Sequence, residues 1–259
     1  MQDLIVSLIQ TPLYWEDPVA NRAMLEEKVA GIDKTDVIVL PEMFTTSFTN
    51  NAAQFAEPMN LHTFKWMKQL ASQSGACIVG SYAVKEGTKF HNRLVWMQPD
   101  GKFFTYDKRH SFRMSDEHKV YTAGDKQLVV EYKGWKIAPF ICYDLRFPVW
   151  SRNTNNKYDL AIYVANWPAA RAHAWKSLLP ARAIENISYV IGLNRIGTDG
   201  LDLDYSGDSV VHDFKGMPLA ELGDIETIQT VVLSKKDIKN FREIFPAYLD
   251  EDGFELNFT

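Results

Sequence analysis

The stretch that decides the predicted fold is WKIAPFICYDLRFP, residues 135–148. Its apolar part, residues 137–141, is typical of a strand buried on both faces. Cys142 follows this strand directly, and Pro148 suits the first turn of a helix, where its missing N–H costs nothing. A cysteine at such a junction faces free backbone N–H groups and the positive end of a helix dipole, which favour the nucleophilic thiolate. Because a lone cysteine is more often a buried structural residue, a catalytic interpretation needs partners elsewhere in the chain.

Two charged residues also follow predicted strands. Glu42 comes after the strand predicted at residues 36–40, and Lys108 comes after the hairpin predicted at residues 90–98 and 102–106. Open α/β sheets bind their ligands at the carboxyl ends of strands, where a carboxylate can transfer protons and an ammonium can stabilise an oxyanion. Taken singly, the glutamate could as well cap or pair with a neighbour, and the lysine is more simply a solvated surface residue.

The order of predicted elements indicates an α/β protein with mixed sheets and helices on the outside. Strand–helix alternation comes first and strand-rich hairpins follow. Further strands are predicted at residues 4–10, 77–84, 127–132, 135–141, 160–165, 188–194, 209–212, 219–221 and 227–233. Helices are predicted at residues 18–32, 63–73, 170–187 and 235–241. No internal repeat or flexible linker interrupts the chain, so we predict one domain over residues 1–259.

Composition excludes several functional classes. The net charge of −5 argues against a nucleic-acid partner, since binding phosphates calls for a basic excess. The two cysteines, Cys77 and Cys142, make no disulfide framework and favour a reducing compartment. No apolar run approaches the ~20 residues of a membrane span, and the first residues lack the features of a signal peptide. We therefore expect a cytoplasmic protein that binds neither membrane nor nucleic acid.

The chain shows no sequence pattern for a cofactor. Its histidines have no metal-binding spacing, and neither phosphate-binding glycine motif occurs. They are His62, His91, His110, His118, His173 and His212. We therefore predict no metal and no organic cofactor. A cysteine–histidine dyad with His110 or His173 as the base remains open at this level.

Three short motifs stand in order, each at a predicted strand end: LPEMF (residues 40–44), YDKRH (106–110) and ICYDLRFP (141–148). Together they resemble the Glu–Lys–Cys set of the nitrilase, or carbon–nitrogen hydrolase, superfamily. NWP (166–168), LPARAIEN (179–186) and SGDS (206–209) are also similar to that family, and the resemblance covers nearly the whole chain. Within the superfamily the similarity is closest to the ω-amidases, which hydrolyse the terminal amide of 2-oxo acid amides such as 2-oxoglutaramate and 2-oxosuccinamate.

The resemblance implies a fold and an assembly. The family fold is a four-layer αββα sandwich, with two mixed sheets between outer helices. Its members usually pair through helices near the cysteine, so the resemblance implies a homodimer or a higher homo-oligomer. Residues 148–152 and 170–187 would supply the interface here, although both segments could instead cover only their own sheet.

The resemblance also implies a mechanism. Cys142 would attack the amide carbonyl to form a thioester, and water would hydrolyse it. Glu42 would act first as general base and then as general acid, while Lys108 and the backbone N–H of Tyr143 would hold the oxyanion. Glu117 matches a second glutamate that many family members carry, and would position substrate or water.

The substrate is expected to be a small amide that carries a carboxylate, held chiefly by Arg146. This residue lies four positions after the nucleophile, so on a helix it would share the same face. A guanidinium also matches a carboxylate with two parallel hydrogen bonds. Arg171 is the second candidate, with Trp167 and Tyr143 as walls of the pocket. The alternative is a structural ion pair between Arg146 and either Asp144 or another acidic neighbour.

Other functions use the same residues. A nitrilase proper or a carbamoyl hydrolase would share the Glu–Lys–Cys set, so the set cannot distinguish them from an ω-amidase. A non-catalytic binding protein is disfavoured because all three residues are present. A redox role for Cys142 is disfavoured because no resolving cysteine stands near it.

Overall fold

Two large β-sheets form the centre of the protein. The computed structural model describes residues 1–256. The strands of the first sheet are β1 (Leu4–Gln10), β2 (Val37–Val39), β3 (Glu57–Pro58), β4 (Cys77–Glu86), β5 (Lys89–Met97), β6 (Phe103–Asp107) and β15 (Thr227–Leu233). They lie in the order β15-β1-β2-β4-β5-β6, with β3 beside β4. Strands β1, β2 and β4 are parallel and the outer pairs are antiparallel, so the sheet is mixed.

The second sheet is also mixed. Its strands are β7 (Val130–Tyr132), β8 (Trp135–Ile141), β9 (Leu160–Ala165), β10 (Tyr189–Asn194), β13 (Val210–His212) and β14 (Pro218–Glu221). They lie in the order β14-β13-β10-β9-β8-β7, with β8, β9 and β10 parallel. A separate hairpin, β11 (Ile196–Thr198) and β12 (Asp204–Ser206), follows β10. The carboxyl ends of three parallel strands therefore share one edge of this sheet.

Helices cover the outer faces of both sheets. They are α1 (Pro18–Ala30), α2 (Ala52–Phe55), α3 (His62–Ser74), α4 (Glu117–Val120), α5 (Pro148–Ser151), α6 (Ala172–Asn186) and α7 (Lys235–Ile244). The buried side chains of α1 and α3 pack on one face of the first sheet, against Ile9, Ile38 and Ile78. The neighbouring residues of the same strands point to the other face, because side chains alternate along a strand. There Leu8, Val39 and Val79 share a core with the second sheet.

Helix α6 closes the opposite side of the second sheet. It packs closely on β10 because Gly192 carries no side chain: a Cβ there would lie 2.4 Å from Cδ1 of Leu179. The layers thus run helices, sheet, sheet, helix, and the predicted four-layer αββα sandwich is confirmed. The prediction of one domain over residues 1–259 stays a prediction, supported by the core that both sheets share. Within residues 1–256, no helix combines the length and the apolar character needed to cross a membrane.

The sequence placed most strands correctly. The strands predicted at residues 4–10, 135–141, 160–165 and 227–233 have the same bounds in the structure. The helix expected to begin at Cys142 was wrong. Residues Cys142–Arg146 form a single 3₁₀ turn, and a separate four-residue helix begins at Pro148. The break lies at Phe147, where the residue before a proline is pushed out of helical conformation.

Candidate active site

The predicted catalytic residues meet at the strand ends, between the two sheets. Glu42 follows β2, Lys108 follows β6, Cys142 follows β8, and Glu117 begins α4. Glu42, Lys108 and Cys142 border a pocket with about 500 Å³ of empty space, including its open mouth, while Glu117 lies behind Lys108. Its lining residues are Glu42, Phe48, Lys108, Phe112, Ser115, Cys142, Tyr143, Arg146, Asn166, Trp167, Pro168, Arg171, Leu203 and Tyr205.

Cys142 sits in a tight turn. Its φ is +44°, in the left-handed region that residues with a side chain rarely adopt. The turn raises the thiol from the end of β8 into the pocket, where Sγ lies 3.8 Å from the carbonyl oxygen of Asn166. The expected helix dipole is absent, because one 3₁₀ turn of five residues aligns few peptide dipoles. Strain of this kind costs about 1–3 kcal/mol and is typical of functional sites.

The ammonium of Lys108 lies between two buried carboxylates. Its Nζ donates to Oε1 of Glu42 at 2.8 Å and reaches both carboxylate oxygens of Glu117 at 3.0 Å. Glu42 and Glu117 have no exposed surface, and Lys108 is 3% exposed. Removal of three charges from water is costly, so this arrangement stands only because the charges oppose and hydrogen-bond each other.

Sequence reasoning missed two asparagines that hold Glu42. The side-chain amide of Asn92, on β5, donates to Oε1 at 2.8 Å. The backbone N–H of Asn166 donates to Oε2 at 2.8 Å, and its side-chain amide donates to the carbonyl of Glu42 at 2.6 Å. The motif NWP drew attention to Asn166 only through family resemblance, and no sequence signal marked Asn92.

Opposing effects set the charge of Lys108. Desolvation by itself lowers the pKa of the ammonium, but the charges of Glu117 and Glu42 outweigh it and raise that pKa well above its usual value. For Glu117, desolvation is the main cause of a raised pKa, and repulsion by Glu42 adds to it against the attraction of Lys108. The lysine is therefore a fixed cation, while a carboxylate beside it holds a proton more readily than usual.

The environment of Cys142 favours the neutral thiol over the thiolate. Burial, and next the negative charge of Glu42, raise its pKa well above the usual value, against a smaller effect of Lys108. The sequence-based expectation of a stabilised thiolate was therefore wrong. Glu42 and Glu117 already neutralise the positive charge of Lys108. The lysine therefore stabilises a negative charge on the Cys142 sulfur only weakly.

The four predicted substrate-binding residues line the pocket. The Arg146 guanidinium lies over the Trp167 ring, 5.0 Å from its centroid, and the Arg171 guanidinium lies 5.1 Å from the centroid of Phe112. Tyr143 contacts Phe112 edge-on, with ring centroids 5.0 Å apart. Within residues 1–256, no carboxylate lies within ion-pair distance of either guanidinium. Two stacked arginines thus face the pocket with their hydrogen-bonding edges available.

Asp144 does not pair with Arg146, so that alternative was wrong. Its carboxylate instead accepts hydrogen bonds from Tyr106, His110 and the backbone of Ile141. The cysteine–histidine dyad is also not formed. His110 binds Asp144 outside the pocket lining, and His173 is exposed at the start of α6.

Other pocket residues carried no sequence signal. Phe48 and Phe112 come from loops, and Leu203 and Tyr205 come from the hairpin β11–β12 and its loop. Within the described part of the chain, no cluster of three histidine, cysteine or carboxylate side chains could hold a metal ion.

Comparison with known proteins agrees with this geometry. The model of the carbon–nitrogen hydrolase family matches residues 5–243. The chain is 47% identical to an omega-amidase YafV from Yersinia enterocolitica, over 99% of this chain and all of that protein. It is 33% identical to a 2-oxoglutaramate amidase from Bacillus subtilis, over 95% of this chain and 96% of the relative.

Solved structures give the same result. The CN-hydrolase superfamily protein XC1258 from Xanthomonas campestris superposes with a TM-score of 0.95 at 46% identity, over 99% of this chain and all of the other. Nit3 from Saccharomyces cerevisiae, a member of the nitrilase superfamily, superposes with a TM-score of 0.85 at 25% identity, over 95% of both chains. The resemblance found in the three motifs is thereby confirmed, and the chain belongs to the carbon–nitrogen hydrolase family.

Proposed function

We propose that the protein hydrolyses the terminal amide of small 2-oxo dicarboxylic acid monoamides, 2-oxoglutaramate and 2-oxosuccinamate, to the acid and ammonia. The observation that carries this proposal is the composition of one pocket. A neutral thiol, a carboxylate and an ammonium lie at its inner end, and two arginines line the same pocket. The names of the omega-amidase and 2-oxoglutaramate amidase relatives support the same substrate class.

Acylation follows from the resting state. The Glu42 carboxylate takes the proton of the Cys142 thiol as the sulfur forms a bond to the amide carbon. The carbonyl oxygen becomes an oxyanion, which the Lys108 ammonium and the backbone N–H of Tyr143 stabilise. When the oxyanion collapses, the C–N bond breaks, and Glu42 returns its proton to the departing ammonia. The acyl group then remains on Cys142 as a thioester.

Deacylation uses the same groups in the opposite sense. Glu42 takes a proton from water, whose oxygen attacks the thioester carbon. The second oxyanion collapses with loss of the sulfur, which regains a proton from Glu42, and the acid leaves. Glu117 serves this cycle through Lys108, which it holds with both carboxylate oxygens at 3.0 Å. Covalent catalysis thus divides one difficult hydrolysis into two easier transfers.

Electrostatics favour an anionic substrate. Glu42 and Glu117 both pair with Lys108, whereas Arg146 and Arg171 line the pocket without such a partner among the described residues. Three cations against two carboxylates leave one positive charge in excess at the site. A 2-oxo acid brings a carboxylate and a neutral keto oxygen to the two guanidiniums. Glutamine and asparagine bring an ammonium to the same place, which the arginines repel.

One assay tests the function directly. Ammonia release is measured side by side from 2-oxosuccinamate, 2-oxoglutaramate, glutamine, asparagine and a simple nitrile. We expect the two oxo-acid amides to give the highest kcat/KM. A preference for the nitrile, or for a carbamoyl compound added to the same panel, would replace the proposal with a nitrilase or a carbamoyl hydrolase.

The catalytic roles predict the effects of three substitutions. Cys142→Ala should abolish ammonia release in a folded protein, and Glu42→Gln and Lys108→Met should each lower kcat by ~10²-fold or more. Their losses should not add, since the residues serve one step. Lys108→Met leaves two buried carboxylates without a counter-charge at a cost of ~3–5 kcal/mol, so rates are compared per folded molecule.

Cys77→Ala is the matched control for the nucleophile. This second cysteine is fully buried in β4, outside the pocket, so its loss should leave ammonia release per folded molecule unchanged. Near-normal turnover by Cys142→Ala would show that the covalent mechanism is wrong.

Glu117→Gln should change the pH dependence of kcat/KM. Glu117 is the carboxylate that most strongly raises the pKa of Lys108, and without it desolvation lowers that pKa. Since the oxyanion needs a protonated lysine, the alkaline limb of the kcat/KM profile should move to lower pH in this variant. An unshifted alkaline limb would assign Glu117 to substrate positioning instead.

Arg146→Met should distinguish substrate binding from structural support. We expect kcat/KM on 2-oxosuccinamate to fall ~10²-fold, the cost of one charged contact, while hydrolysis of an uncharged short-chain amide changes little. Arg171→Met, measured in parallel, shows which guanidinium contributes more. Equal losses on both substrates together with a lower Tm would mean that Arg146 is structural.

We also propose that the protein is a homodimer paired through α5 and α6. Arg152, just after α5, donates to the carbonyl of Glu185 in α6, so the two helices adjoin. They leave Val149 54% exposed and Ile184 57% exposed on the outer layer. Apolar side chains on adjacent exposed helices are typical of a contact surface.

Sedimentation velocity tests the dimer. The wild type should sediment as a species of twice the chain mass of 29.7 kDa, and the Ile184→Glu variant should sediment as a monomer. Val19→Glu is the control, because Val19 is 70% exposed on α1, on the opposite outer layer. A wild type that is monomeric at micromolar concentration would contradict the proposal.

A further inference from the structure

A buried carboxylate lies directly behind the catalytic turn. Asp144, two residues after Cys142, has no exposed surface. Its Oδ2 accepts from the Tyr106 hydroxyl at 2.7 Å and from the Ile141 backbone at 3.1 Å. Its Oδ1 accepts from the backbone N–H of His110 at 2.9 Å and lies 2.8 Å from Nδ1 of the same residue. These four hydrogen bonds satisfy the Asp144 carboxylate. Among the described residues, no lysine or arginine side chain forms an ion pair with it.

The donors come from two different sheets. Ile141 ends β8 and precedes the nucleophile, whereas Tyr106 belongs to β6 and His110 to the loop that follows it. Tyr106 and His110 stand on either side of Lys108, each two residues away. The segment that carries the lysine is therefore tied at two points to the turn that carries the cysteine.

The surroundings hold these donors in place. The His110 ring stacks on Phe147, with centroids 3.7 Å apart and ring planes at 5°. The indole N–H of Trp150 donates to the Tyr106 hydroxyl at 2.9 Å. Desolvation first, and then the charge and hydrogen bond of Asp144, raise the pKa of Tyr106 well above its usual value, so the phenol remains a donor.

We propose that Asp144 and His110 are positioning residues, which set the place of the Cys142 sulfur relative to Lys108 and Glu42. The proposal rests on the catalytic roles proposed above for those three residues. Asp144 touches neither the substrate nor the reacting atoms, and Asp144 and His110 do not line the pocket. Their effect should therefore fall on the reaction steps and not on substrate binding.

The reaction tolerates little displacement of the Cys142 sulfur relative to Lys108 and Glu42. The sheets meet mainly through apolar side chains, whose close packing gives little directional constraint. The hydrogen bonds to Asp144 are directional, and they lie where the first sheet carries Lys108 and the second sheet carries Cys142. A shift of about 1 Å between reacting groups can lower the rate by ~10²-fold. Holding the Cys142 turn in a fixed position relative to Lys108 should therefore have a large effect on turnover.

Asp144→Asn is the first test. An amide cannot accept all four hydrogen bonds, because in either orientation its NH₂ group would face a backbone N–H, which can only donate. On the best amide of the panel we expect kcat to fall ~10²-fold while KM stays within ~3-fold. Alkylation of Cys142 by iodoacetamide, followed on its own peptide by mass spectrometry, should slow by ~10-fold, because a displaced thiol loses its base and its cation.

Asp159→Asn is the matched control. Asp159 is also a buried aspartate with several donors, among them Arg242 at 2.8 Å and the backbone of Lys136 at 2.9 Å. It precedes β9, at the end of the strand opposite Asn166. This variant should lower Tm and leave both kcat per folded molecule and Cys142 alkylation unchanged.

Two histidine variants serve as the second test, which holds even if Asp144→Asn does not fold. His110→Asn keeps a donor near the place of Nδ1 and should retain kcat within ~3-fold, while His110→Ala should lose ~10-fold. The proposal is overturned if His110→Asn and His110→Ala lose equal activity, if KM rises in step with the fall in kcat, or if alkylation of Cys142 matches the Asp159→Asn control. Because alkylation needs no substrate, it tests this proposal even if no amide of the panel is hydrolysed.

Discussion

The site depends on one buried ammonium. Lys108 lies between Glu42 and Glu117, and each of these three residues would be costly to bury without the others. The lysine follows a strand of the first sheet and approaches Glu42 from the same sheet, with Glu117 supplied by the loop between the sheets. The ends of β2, β6 and β8 and the start of the short helix α4 therefore meet around the Lys108 ammonium.

This arrangement explains why the nucleophile rests as a thiol. Burial and the nearby Glu42 raise the pKa of Cys142, and the positive charge of Lys108 is shared with Glu117. A cysteine that is neutral at rest needs a base in contact, and the proposed base, Glu42, is held by hydrogen bonds from Asn92 and Asn166. In the proposed mechanism, the Lys108 ammonium is then available for the oxygen that becomes negative during the reaction.

The pocket combines apolar walls with few polar groups. The rings of Trp167 and Phe112 lie against the guanidiniums of Arg146 and Arg171, which would limit the entropy that these side chains lose on binding the proposed substrate. Such a surface suits the short carboxylate of the proposed substrates by geometry and charge. Leu203, on the hairpin loop, is among the remaining lining residues.

The sequence by itself determined the strands, since apolar runs such as residues 160–165 identify buried β-structure locally, and it located Glu42, Lys108 and Cys142 at strand ends. It also pointed to the family through three short motifs. Only the tertiary structure decided that Asn92 and Asn166 hold Glu42 across 50 and 124 residues of chain, and that Asp144 binds His110 and not Arg146. It also decided that burial and Glu42 raise the pKa of Cys142. The physical reason is that apolar periodicity is a local property, whereas hydrogen-bond partners and desolvation depend on which distant segments the two sheets bring together.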